Sequence, residues 1–138
     1  MQLSTYLSFE DNCAEAFKFY AEVLRGEIVA IFPFGDTPAC EHVPESHRNR
    51  TMHARLVIDG QAIMGSDSVP ECPYKGIEGA SIAINVDSTA EAERIFNELS
   101  AGGNIVMPLA ETFWAERYGM FTDRYGVHWM VNCEKKQS

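Results

Sequence analysis

An ungapped internal repeat constrains this chain more than any other feature. The segment FEDNCAEAFKFYAEVLRG, Phe9 to Gly26, aligns with NVDSTAEAERIFNELSAG, Asn85 to Gly102, at an offset of 88 − 12 = 76 residues. Asn12 and Ser88 are both helix-capping types, and Glu15 and Glu91 each follow three residues later. Ser88 to Glu91 reads as a capping box and Asn12 to Glu15 as a close variant. Ala16, Phe19, Tyr20 and Val23 sit at i, i+3, i+4 and i+7, and Ala92, Ile95, Phe96 and Leu99 repeat that spacing. Each set is the apolar face of an amphipathic helix. Gly26 and Gly102 stand where a left-handed residue ends a helix.

Extended segments surround each helix. Ile82, Ile84 and Val86 alternate with polar or small residues, which predicts a strand before the second helix. Leu3 to Phe9 is its partner in the first half. Three strands are predicted after each helix: about Ile28–Phe32, Met52–Ile58 and Gln61–Gly65, then about Ile105–Ala110, Gly119–Thr122 and Val127–Asn132. Asp59-Gly60 is a hairpin turn, and Tyr125-Gly126 takes the same place at 126 − 60 = 66 residues further on. The chain is therefore read as one α+β domain of two βαβββ modules. Module one spans about 1–67, a linker with Pro70 and Pro73 about 68–79, and module two about 80–134.

Composition narrows the function classes. With 138 residues, 46% of them hydrophobic, the chain suffices for one domain with a real core. No apolar run approaches the ~20 residues of a membrane helix, and Met-Gln-Leu-Ser-Thr has no signal-peptide character. The net charge of −9 argues against nucleic-acid binding, since the only basic cluster is Lys135-Lys136. Cys13, Cys40, Cys72 and Cys133 are spread with no CxxC, as expected of free thiols in a cytoplasmic protein.

Paired βαβββ modules resemble the vicinal-oxygen-chelate superfamily of glyoxalase I, extradiol dioxygenases, and fosfomycin and bleomycin resistance proteins. The resemblance is narrower to its PhnB-like branch. It rests on Tyr6-Leu-Ser-Phe, Met52-His-Ala-Arg-Leu and Met64-Gly-Ser-Asp67, and above all on Thr112-Phe-Trp-Ala115, Tyr118-Gly119 and TDRYGVHWMVN from Thr122 to Asn132. It covers nearly the whole chain and implies a curved, cup-shaped mixed sheet. Metal-bearing superfamily members take ligands from the first and last strand of each module. Position by position, these fall on Thr5, Met64, Ser81 and Met130. Two hydroxyls and two thioethers make a poor site for zinc, nickel, iron or manganese, so no metal and no cofactor is expected. The branch is often labelled a demethylubiquinone methyltransferase. The sequence has no strand followed by a glycine-rich turn that would hold S-adenosylmethionine.

Strand alternation points His53, Arg55 and Val57 into the cup, with His128, Met130 and Asn132 from the last strand. Thr5, Leu7, Ser81, Ala83 and Phe121 join them as lining. His53 is the leading candidate, as a ligand contact or a general acid or base; the alternative is a sheet histidine satisfied locally. The same choice holds for His128. Arg55 pairs either with an anionic ligand or with a nearby acid, for which Asp67, Glu111 and Asp123 are the candidates. Phe113 and Trp114 form an aromatic wall over the pocket or fill an interface or the core. His42 and His47 fit no trusted metal spacing with His53. Cys72 is a loop thiol with no activating base.

Three functional readings follow, in this order. The cup binds a small anionic or aromatic metabolite without metal; or it is a metal-free acid–base enzyme using His53, Arg55 or His128; or it is a metalloenzyme with relocated ligands. A homodimer is expected, because a sheet that opens as a cup leaves apolar edges to cover.

Overall fold

The computed structural model describes residues 1–38, 41 and 43–136, so Cys40 and His42 lie outside the described residues. Two compact units emerge, Met1–Gly76 and Ile77–Ser138. The first holds β1 (Thr5–Phe9), α1 (Cys13–Leu24), β2 (Glu27–Pro33), β3 (Thr51–Ile58) and β4 (Gln61–Asp67). The second holds β5 (Ile82–Asn85), α2 (Thr89–Ser100), β6 (Asn104–Ala110), β7 (Ala115–Thr122) and β8 (His128–Glu134). Strand orders are β1-β4-β3-β2 and β5-β8-β7-β6. In each, the first strand runs parallel to the last and the other pairs are antiparallel. Each unit is thus a four-stranded mixed sheet with one helix, built to the same plan, an α+β fold as the repeat predicts.

Each helix covers one face of its sheet, and that side is the core. Cys13, Ala16, Phe17, Tyr20 and Val23 are buried on α1, and Ala92, Ile95, Phe96 and Leu99 on α2. Phe17 replaces Phe19 in the first stripe, standing edge-on to Phe9 with ring centroids 6.0 Å apart. Trp129, Val131 and Phe121 fill the same layer in the second unit. Each Val, Leu, Ile or Phe among them contributes about 1.5–3 kcal/mol by leaving water.

The caps depart from the repeat. Ser88 Oγ accepts the Glu91 N–H at 3.2 Å, as a capping box requires. Asn12 makes no side-chain cap. Asp67, at the end of β4, takes its place, with Oδ1 accepting the Cys13 N–H at 2.8 Å. At the other end of α1 the left-handed residue is Arg25, with φ 56°, and not Gly26. Gly26 answers a different need: a Cβ there would lie 2.6 Å from Ile58 and 2.8 Å from the Val57 carbonyl.

The two hairpins also differ. Asp59 and Gly60 have φ 48° and 78°, the pattern of a two-residue turn with both centres left-handed. The loop between β7 and β8 is longer and is held by Asp123. Its Oδ1 accepts the Tyr125 and Val127 N–H groups at 2.8 and 3.0 Å, and its Oδ2 accepts Trp129 Nε1–H at 2.8 Å.

Candidate functional site

The face of each sheet away from its helix carries the polar and half-buried side chains. On the first sheet, register places Tyr6 beside Met64, Arg55 across from Met64, and Phe32 across from His53. Side chains at paired positions share a face. Tyr6, Phe32, His53, Arg55 and Met64 therefore stand together on one open face. Tyr6 and His53 stack with centroids 6.0 Å apart, and the Tyr6 hydroxyl lies 3.4 Å from His53 Nδ1. His53 Nε2 has no hydrogen-bond partner among the described residues, and Arg55 has no ion pair among them.

The acids suggested as partners for Arg55 are engaged elsewhere. Asp67 faces α1 and accepts the Cys13 and Thr51 N–H groups, at 2.8 and 2.7 Å. Asp123 is committed to its own loop and Trp129, and Glu111 lies 3.8 Å from Lys135. Burial raises the Asp67 carboxyl above its ordinary range. Its two N–H donors and Arg50 pull it down, and Asp11 adds to the rise. Burial first, then the charge of Asp67, drives the Cys13 thiol far up, which leaves it inert.

Two expected lining residues of the first unit are corrected. Leu7 is 5% exposed and faces the helix, and Thr5 shares its parity, paired with Ile63. Tyr6 holds the place beside Met64 that the resemblance assigned to Thr5. The second unit puts Ala83 beside Met130, while Ser81 precedes β5 and is exposed. The matching first-strand positions are thus 83 − 6 = 77 apart, against 89 − 13 = 76 for the helix starts. One residue fewer joins strand to helix in the second unit, and a one-residue slip turns a strand's side chains over. Leu7 and Phe9 flanking Ser8 carry the true parity in the sequence.

Phe121 is corrected as well. It is 1% exposed and stands edge-on to Phe96 of α2, centroids 5.1 Å apart, so it belongs to the core. The open face of the second sheet carries Met107, Tyr118, Met120, Thr122, His128, Met130 and Asn132, by pairing and alternation. His128 is tied at both ring nitrogens. Nε2 lies 2.6 Å from the Ile77 carbonyl and Nδ1 2.8 Å from the Thr122 hydroxyl. A carbonyl only accepts, so Nε2 carries a proton and His128 anchors the start of its unit. Trp114 stands edge-on to Phe113 and Tyr118 at 4.8 and 5.2 Å. A cleft of about 440 Å³, lined by Asn85, Val86, Asp87, Asn132, Glu134, Lys135 and Lys136, had no signal in sequence.

Divalent-metal chemistry finds no matching donors. The first-strand and last-strand positions hold a phenol and a thioether in one unit, a methyl and a thioether in the other. Hard and borderline cations need carboxylate or imidazole there. Among the described residues no three His, Cys, Asp or Glu gather to hold an ion. His47 Nδ1 lies 2.9 Å from Ser46 Oγ in a surface turn, and Cys72 is exposed. No helix among the described residues is long and apolar enough to cross a membrane.

Comparison with known proteins places this architecture. The family model for 3-demethylubiquinone-9 3-methyltransferase matches residues 1–132. Protein YjdN of Escherichia coli (strain K12) is 35% identical, over 99% of this chain and 98% of its own. The crystal structure of PA1353 from Pseudomonas aeruginosa is 53% identical, covers 99% of both chains and superposes with a TM-score of 0.91. The PhnB protein from Bacillus cereus is 25% identical over 96% of this chain and 99% of its own, with a TM-score of 0.81. A glyoxylase/bleomycin resistance protein/dioxygenase domain from Frankia sp. EAN1pec, at 15% identity and TM-score 0.64, shares the fold alone. The chain belongs to the PhnB-like family that bears the 3-demethylubiquinone-9 3-methyltransferase name.

Proposed function

We propose that this chain binds a small anionic molecule with a flat apolar body on the open face of its first sheet, with no metal taking part. The observation that carries this reading is Arg55. The residue is half-buried and makes no ion pair among the described residues, on a chain whose net charge is −9. An acidic chain has acids to spare, so a cation left unmatched beside aromatic side chains suits an anion supplied by a ligand. Tyr6, Phe32 and Met64 offer the apolar surface, with Tyr6 and Phe32 51% and 49% exposed. His53 adds a second polar group.

Matched pairs of aromatic carboxylates and their amides test it by thermal shift. A ligand of the native state raises the melting temperature by mass action. The acids raise it, the amides do not, and Arg55→Met weakens the acids about ten- to hundredfold, the worth of one charge-assisted bond. Equal shifts from acid and amide, or an unchanged response in Arg55→Met, would sink the reading.

A second reading, acid–base catalysis by His53, is favoured by one contact. The Tyr6 hydroxyl lies against Nδ1 and leaves Nε2 free to exchange a proton with a substrate. Turnover surviving in His53→Ala would remove it. We also propose that two copies pair and that the protein works in the cytoplasm. The exposed apolar side chains of edge strands β2 and β6 support the first, and the free thiols Cys13, Cys72 and Cys133 suit the second.

A further inference from the structure

Register on the second sheet brings three methionines into one row. Met107 of β6 pairs with Met120 of β7, and Met120 pairs with Met130 of β8. Ala83 of β5, beside Met130, ends the row with a methyl group. All four side chains share the face away from α2. The core lies on the other side, where Phe121, Trp129 and Val131 are buried. The methionines are not needed there: Met107 is 45% exposed, and Met120 and Met130 are half-buried.

We propose that this row is a binding site for a soft monovalent d10 cation, copper(I) or silver(I). Thioethers are soft, uncharged donors that favour such ions over zinc, manganese or magnesium. The spacing suits them. Neighbouring strands lie about 4.8 Å apart, close to twice a metal–sulfur bond of about 2.3 Å. With three rotatable bonds each, methionines on adjacent strands can set two sulfurs on either side of one ion in the near-linear geometry these cations accept. The third methionine, with three rotatable bonds, can lean in to complete a trigonal set. No harder donor competes along the row. The nearest imidazole on the same face, His128, is held at both nitrogens by Ile77 and Thr122.

A thioether has no proton to lose, which separates this site from cysteine or histidine sites. Silver(I) nitrate is titrated into the full chain carrying Cys40→Ser and Cys72→Ser, followed by the methionine methyl signals in NMR. The Met107, Met120 and Met130 methyls should move together and saturate at one equivalent, ahead of Met1, Met52 and Met64. Affinity should stay within about twofold from about pH 8 to about pH 5. Met120→Leu, which conserves volume and so keeps the fold, should lose the stoichiometric complex, and Met107→Leu should weaken it. Zinc(II) should move none of the three. The site is disproved if the three methyls stay still, if Met64 responds equally, if Met120→Leu still binds one equivalent, or if affinity falls tenfold or more by pH 5. Anionic aromatic probes report separately on the first sheet, so neither result decides the other.

Discussion

Asp67 shows how one side chain can serve a fold and strain against it. It ties the start of α1 to the start of β3 through two backbone N–H bonds, yet burial works against its charge. Its pKa in the folded chain lies above the ordinary 3.8, so the fold holds the proton more tightly than the unfolded chain does. Its contribution to stability is whole below that ordinary value and fades as pH rises through the raised one. Asp67→Asn lacks this titration. The stability gap between wild type and variant should be widest at the acid end and narrow with rising pH, as read by denaturant unfolding from about pH 3 to about pH 7. A gap that widens instead would mean the N–H bonds outweigh burial. Arg55 and His53 are the other residue-scale result. Alternation in MHARLVI puts both on one face in the sequence itself, but only the packed chain shows that Arg55 makes no ion pair among the described residues and that Tyr6 reaches His53.

At the scale of elements, the two helices are equal in pattern and unequal in how they begin. Ser88 caps α2 with its own side chain, whereas Asp67 caps α1 from a distant strand. Ser88→Ala should therefore cost about 1 kcal/mol, and Asn12→Ala only a few tenths, in urea unfolding. Equal costs would show that Asn12 caps its helix after all. The strands were legible because their periods are local, and each of the eight overlaps its expected segment, although β7 begins at Ala115, four residues before the expected Gly119. Facing was legible in β3 and β8, where apolar and polar positions alternate. It failed for Thr5 and Leu7, because the position taken over from the resemblance fell one residue early on β1, and a one-residue slip turns a strand's side chains over. It failed for Phe121 because GMFT in β7 offers no clear alternation, and the partner that claims Phe121, Phe96, is distant in sequence.

For the whole molecule, the exposed edges matter most. Val29 on β2, and Ile105 and Val106 on β6, are 50–60% exposed on strands that pair on one side among the described residues. Apolar edges of this kind invite pairing, and natural chains cover them. Sedimentation at micromolar concentration should give twice the 15.4 kDa chain mass. A mass near 15.4 kDa would refute the pairing.

The amino-acid order alone determined the duplicated βαβββ plan, the helix faces and the family, because periodicity, caps and turn residues act over a few neighbours. Tertiary structure decided what depends on contacts distant in sequence. It replaced Asn12 by Asp67 as a cap and Thr5 by Tyr6 beside Met64, and it withdrew His128 into a structural role. It also lined up Met107, Met120 and Met130. Each outcome turns on strand register, and register is set by how two sheet faces are buried, which no short stretch of sequence contains.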